Sequence, residues 1–80
     1  MSSSYIIYST EGCHLCDLAQ DVIAQLDLLA QCEVTDIAES ADLVEEFGIR
    51  IPVVQAKATQ ACLDWPFDAE QLAHFIKNNS

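Results

Sequence analysis

Tyr5-Ile6-Ile7-Tyr8-Ser9-Thr10-Glu11-Gly12-Cys13-His14-Leu15-Cys16 decides the fold of this chain. Its first four residues are apolar and β-prone and read as a buried strand. Ser9, Thr10, Glu11 and Gly12 read as a turn, and a helix begins at or just after Cys13. Two residues between the cysteines bring both sulfurs to one end of that helix, where a disulfide can close locally. The first thiol also lies near backbone N–H groups that the helix leaves unpaired and near the positive end of its dipole. Both favour a thiolate, the nucleophile of thiol–disulfide exchange. A C-x-x-C at such a strand–helix junction is a redox signature when the chain belongs to a reducing compartment.

Outward from this junction the chain alternates strand and helix. The first helix is expected over residues 13–29, with Leu15, Leu18, Ala19, Val22, Ile23, Leu26 and Leu29 as the stripe that packs on a sheet. Residues 32–37 alternate and read as a second strand, so strand, crossover helix and strand make a βαβ unit with parallel strands. Ser40 can cap a short helix over residues 41–47 that buries Leu43, Val44 and Phe47, and Gly48 suits a left-handed stop. Residues 51–55 read as a third strand opened by Pro52. Residues 59–63 return as a fourth, close enough in sequence to make an antiparallel hairpin. Asp68 caps the last helix, with Gln71 completing a capping box and Phe67 and Leu72 spaced as a hydrophobic staple. Leu72, Phe75 and Ile76 face the core. The order β-α-β-α-β-β-α predicts an α/β fold, a four-stranded mixed sheet flanked by three helices, in a single domain over residues 1–80.

Composition narrows the function. Thirteen acidic residues stand against Arg50, Lys57 and Lys77, a net charge of −10. Three scattered cations make no basic patch, which argues against nucleic acid and against an anionic membrane surface as partners. The start Met1-Ser2-Ser3-Ser4 has no positive n-region, and no apolar stretch approaches a membrane span, so the expected location is the cytoplasm. Disulfides there are usually transient and catalytic. Cys32, Cys62, His14 and His74 lack the knuckle spacing of a zinc site, so no metal ligand is assigned. Cys32 and Cys62 fall in strands and read as buried, inert thiols. A monomer is expected.

The strand order, the C-x-x-C at the first helix and a proline opening the third strand resemble the thioredoxin fold at its smallest. Three segments resemble a bacterial glutaredoxin-like family of small proteins: Thr10-Glu11-Gly12-Cys13-His14-Leu15-Cys16-Asp17, Gly48-Ile49-Arg50-Ile51-Pro52-Val53, and Leu63-Asp64-Trp65-Pro66-Phe67. The resemblance implies a thiol–disulfide oxidoreductase in which Cys13 is the attacking thiol and Cys16 the resolving thiol. It implies a cis peptide bond before Pro52, packed against the cysteine pair, with Ile51 offering its N–H and C=O to a substrate. The residues set on the substrate side are His14, Leu15, Arg50, Ile51, Pro52 and Trp65, with Arg50 the candidate anion contact. For His14 and Trp65 the residues themselves leave a second reading, a solvent-facing first-turn residue and a core cover beside Phe67. The partners implied are a protein or small-molecule disulfide and an external thiol reductant.

Glutathione is the reductant such families suggest, with no cofactor held permanently. The sequence departs from that pattern. Glutaredoxins commonly carry a Gly-Gly pair after the fourth strand. Here residues 63–67 contain no glycine, Pro66 has no N–H, Asp64 repels a carboxylate, and Glu11 stands where a basic residue is common. The alternative is a thioredoxin-fold binding module whose cysteines dock a partner, a metal or an iron–sulfur cluster.

Overall fold

A computed structural model describes residues 4–79; residues 1–3, part of the stretch read for a leader, lie outside it. Four strands form one sheet in the order β2-β1-β3-β4, where β1 is Tyr5–Ser9, β2 Cys32–Asp36, β3 Val53–Ala56 and β4 Cys62–Asp64. β1 runs parallel to β2 and antiparallel to β3, and β3 runs antiparallel to β4. The expected α/β architecture and the mixed sheet are therefore present.

The helices cover both faces because the strands alternate. Tyr5, Ile7, Val54 and Ala56 point to one side, where they pack with Ala19 and Ile23 of α1 (His14–Gln25) and Leu72 of α3 (Ala69–Asn78), with Phe67 closing the same cluster. Tyr8 and Val53 point to the other side and pack with Ile37 and with Phe47 of α2 (Ala41–Phe47). No helix among the described residues is long and apolar enough to cross a membrane.

Local chemistry sets the element ends, and several differ from the sequence expectation. α1 stops at Gln25, well short of residue 29. Asp27 takes a left-handed φ of 56°, its N–H bonds the Ala24 carbonyl at 3.0 Å, and the Leu28 N–H returns to the Ile23 carbonyl at 3.3 Å. This is a Schellman stop with aspartate where glycine is usual, and Leu28 and Ile23 share the core beneath it. A turn of 3₁₀ helix, Leu29–Gln31, then leads into β2. β2 ends at Asp36, whose carboxylate caps the Ala38 N–H at 2.9 Å and opens another 3₁₀ turn at Ile37.

Ser40 holds the N-cap position of α2 without a side-chain bond; its backbone carbonyl takes the Val44 N–H at 3.1 Å. Gly48 is right-handed rather than left-handed, with φ −52°. A glycine is needed there for a different reason: any Cβ would run into the Val44 carbonyl oxygen. β3 begins at Val53 rather than residue 51, because the Ile51 N–H is drawn back to the Phe47 carbonyl. β4 begins only at Cys62, because residues 57–60 are spent on the turn. There Gln60 is left-handed, with φ 63°, and its N–H bonds the Ala56 carbonyl at 2.7 Å.

α3 starts as the sequence predicts. The Asp68 carboxylate accepts the Gln71 N–H at 2.8 Å, and the Gln71 side-chain oxygen accepts the Asp68 N–H at 3.0 Å. Phe67 and Leu72 are both buried in the core below. Asp68→Ala leaves the Gln71 N–H without its partner and is expected to cost about 1 kcal/mol. Urea denaturation of the variant checks it; a Gln71→Ala variant should lose less, since water reaches the exposed Asp68 N–H.

Candidate functional site

The sheet register gathers the chemistry at one end. β1 runs into the Ser9–Gly12 turn and then into Cys13. Gly12 has φ 78°, a conformation side chains rarely adopt, and the Cys13 N–H returns to the Thr10 carbonyl at 3.4 Å. Tyr8 lies opposite Val53, and Val53 opposite Asp64. Pro52 and Trp65 therefore continue the sheet at the end where β1 delivers Cys13, and the Trp65 N–H bonds the Pro52 carbonyl at 3.1 Å. The peptide bonds Ile51–Pro52 and Trp65–Pro66 are both cis.

Cys13 is the N-cap residue of α1. Its sulfur accepts the Cys16 backbone N–H at 3.1 Å. The two cysteines are joined as a disulfide with Cα atoms 5.2 Å apart, within the usual range for such bonds. They differ sharply in access: Cys13 is half-buried, while Cys16 is only 2% exposed under the start of the helix. A nucleophile that meets an outside sulfur has to be the accessible member. A thiol that resolves it from within fits the buried one. A negative charge on Cys13 would meet the Cys16 N–H and the positive end of a twelve-residue helix.

The residues expected on the substrate side are not all placed alike. His14 and Leu15 are exposed on the first turn, Leu15 at 46%. Leu15 and Leu18 thus leave the core stripe, which α1 makes with Cys16, Ala19 and Ile23. Val44 of α2 is likewise exposed, leaving Phe47 as that helix's buried residue. Pro52 is fully buried. Trp65 is half-buried, set edge-on to Phe67 with ring centroids 5.0 Å apart, and packs on the core, the second of its two readings. Ile51 is half-buried and does not offer its N–H, which the Phe47 carbonyl takes at 3.1 Å; its carbonyl is the group left to present.

Arg50 is not a free cation. Its Nε and Nη2 donate to the two carboxylate oxygens of Asp64 at 2.9 and 3.0 Å, a bidentate pair, and its guanidinium carbon stands 5.0 Å over the Phe47 ring. The guanidinium holds the Asp64 carboxyl below its ordinary range, and the carboxylate in turn raises the Arg50 pKa. Charge sign alone casts Asp64 as a repulsive group; the structure makes it the partner of Arg50. The hairpin register held the signal, since Asp64 pairs with Val53 three residues after Arg50.

Cys32 and Cys62 are half-buried rather than buried, because β2 and β4 are the two sheet edges. Burial pushes both thiols up, which keeps them protonated at neutral pH. Among the described residues no three His, Cys, Asp or Glu side chains gather where they could hold a metal ion.

Comparison with known proteins agrees with this geometry. A family model described as a glutaredoxin-like domain (DUF836) matches residues 5–77. The crystal structure of the structural-genomics target protein XcR50 from X. campestris is 32% identical, covers 95% of this chain and 99% of its own, and superposes with a TM-score of 0.86. A solution structure of XcR50 gives the same identity and TM-score over 96% of each chain. The solution structure of Ne2328 from Nitrosomonas europaea is 26% identical over 94% of this chain and 92% of its own, with a TM-score of 0.67. No curated protein matches the sequence.

Proposed function

The chain belongs to the glutaredoxin-like domain family (DUF836), and from that premise we propose that it is a thiol–disulfide oxidoreductase working through Cys13 and Cys16. One observation carries the reading: an accessible sulfur at a helix N-terminus, receiving a backbone N–H, within bonding distance of a buried second sulfur. In the reduced protein the Cys13 thiolate attacks one sulfur of a substrate disulfide. A Cys13–substrate disulfide forms, and the other substrate half leaves as a thiolate that takes up a proton. Cys16, deprotonated, then attacks the Cys13 sulfur. The Cys13–Cys16 disulfide forms and the second substrate thiol leaves. One disulfide is reduced to two thiols, and the protein dithiol gives up two electrons and two protons. An external thiol reductant restores the dithiol by the same exchange in reverse.

Pro52 and the Ile51 carbonyl, at the sheet end where β1 delivers Cys13, are assigned to the wall of the substrate groove, and the exposed His14 and Leu15 to its outer face. The working compartment is the reducing cytoplasm, where such a pair cycles.

Cys16→Ser tests the order of the two steps. Without the resolving thiol, the Cys13–substrate disulfide is expected to accumulate, seen by intact mass as one substrate half added per chain and lost on treatment with dithiothreitol. The opposite variant should give no adduct. Equal trapping by both variants would overturn the assignment of attacker and resolver.

A further inference from the structure

The environment of Cys13 bears on which disulfides it can meet. The chain has three Lys and Arg residues, and the fold scatters them. Lys57 follows β3 at the sheet end away from Cys13, where its N–H bonds the Ser4 carbonyl, and Lys77 lies in the last turn of α3. Arg50 alone is placed at the cysteine end, two residues before Pro52. It is occupied there by a bidentate carboxylate and stands over the Phe47 ring, so two of its N–H donors are turned to Asp64 and its charge is paired.

Apart from the exposed His14, which counts as neutral in the net charge, the ionisable side chains beside Cys13 in the chain are anionic. Glu11 sits in the turn before Cys13 and Asp17 in the first turn of α1, both exposed. Neither Glu11 nor Asp17 forms an ion pair among the described residues. A disulfide that carries carboxylates therefore finds no unpaired lysine or arginine at that end, and meets the like charge of Glu11 and Asp17 on approach.

Resting on the exchange chemistry proposed above, we infer that Asp64 is a specificity-determining residue: by locking Arg50 it turns away anionic disulfides and leaves the site to neutral and cationic ones, such as a disulfide in a basic protein segment. Its role is exclusion by withdrawal of a counter-charge. It touches neither sulfur, and it acts through Arg50. The chemistry is unchanged: Cys13 and Cys16 transfer two electrons to the disulfide, and the products are two thiols.

The test is a single-turnover reaction of fully reduced protein with three small disulfides: dithiodiglycolate (anionic), cystamine (cationic) and 2-hydroxyethyl disulfide (neutral). The readout is the anionic-to-cationic ratio of second-order rate constants at low ionic strength. Asp64→Asn frees Arg50 and is expected to raise that ratio on the order of threefold to tenfold, an effect that disappears as salt shortens the reach of the charges. The double variant Asp64→Asn, Arg50→Gln should lose most of the gain, since the released guanidinium is its source. Asp27→Asn, at the far end of α1, removes the same net charge and should leave the ratio unmoved.

A ratio unchanged in Asp64→Asn, or raised equally in Asp27→Asn, overturns the inference. So does a gain that survives in the double variant. Failure of the wild-type protein to react with the neutral disulfide is a different result, because it defeats the oxidoreductase reading itself.

Discussion

Cys13→Ser is expected to abolish disulfide exchange, lowering the rate at least about a thousandfold while the fold is retained. The argument is one of protonation and access. A serine hydroxyl is not ionised at neutral pH, and the Cys16 N–H and helix dipole that favour a thiolate cannot bring a hydroxyl within reach of it. No other sulfur takes over. Cys16 is buried beneath the helix start, and the half-buried Cys32 and Cys62 are kept protonated by their surroundings. Neither lies at the helix N-terminus. The substitution itself is mild, because the serine oxygen is a good N-cap acceptor for the N–H now bonded to sulfur. Stability should therefore change little relative to the reduced wild-type protein. The measurement is the rate of 2-hydroxyethyl disulfide reduction together with a urea midpoint on the same sample. A folded Cys13→Ser protein that still exchanges at the wild-type rate would place the chemistry elsewhere.

The parts of this molecule that neighbouring residues dictate are legible in the sequence. The strand into the C-x-x-C helix, the parallel β1–β2 unit, the β3–β4 hairpin and the Asp68–Gln71 capping box each depend on short-range patterns. Periodicity and cap chemistry report such neighbours directly. The expectations that failed needed information from farther away or from the backbone. Leu15 and Leu18 continue a helical apolar stripe perfectly well, yet they are exposed because α1 turns Cys16, Ala19 and Ile23 inward, with Val22 packed partly buried beside them. Gly48 follows a helix, as a left-handed stop does, but is kept right-handed with its missing side chain against the Val44 carbonyl. α1 is stopped by a left-handed Asp27 just past its end, a residue type that reaches that φ less often than glycine and so gives a weaker signal.

At the candidate site the same division holds. Cys13 and Cys16 announce themselves by spacing. The pairing of Arg50 with Asp64 depends on hairpin register between residues fourteen positions apart, and charge signs alone assign Asp64 the opposite role. The N–H of Ile51 was expected to serve a substrate, and only the path of the chain after α2 shows that Phe47 takes it.

Phe47→Ala carries the largest expected loss of stability, about 3–5 kcal/mol. Phe47 is buried at the end of α2 and stacks on Tyr8 with ring centroids 4.2 Å apart and planes 16° from parallel. Tyr8 is itself fixed by a 2.6 Å bond from its hydroxyl to the Gln55 side chain, so it cannot swing into the space a missing ring leaves. The cluster on this face is small: among the described residues it buries Ile37 and Val53 beside these two rings, with Ile6, Leu43, Ile51 and Cys62 partly buried around it. A chain of 80 residues is expected to have about 4–12 kcal/mol in all, so the variant sits near the unfolding threshold. The loss should appear as a lower urea midpoint with little change in the slope.

Phe47→Leu separates volume from aromaticity. It refills most of the cavity and should cost about 1 kcal/mol, while removing the ring beneath Arg50. The Phe47 carbonyl that holds the Arg50 and Ile51 N–H groups is backbone and survives in both variants. The loop that leads into Pro52 should therefore keep its path in Phe47→Leu, and the exchange rate with a neutral disulfide should follow the folded fraction. A Phe47→Leu protein that is fully folded yet slow with that disulfide would show that the ring, and not only the backbone, sets the geometry beside Cys13.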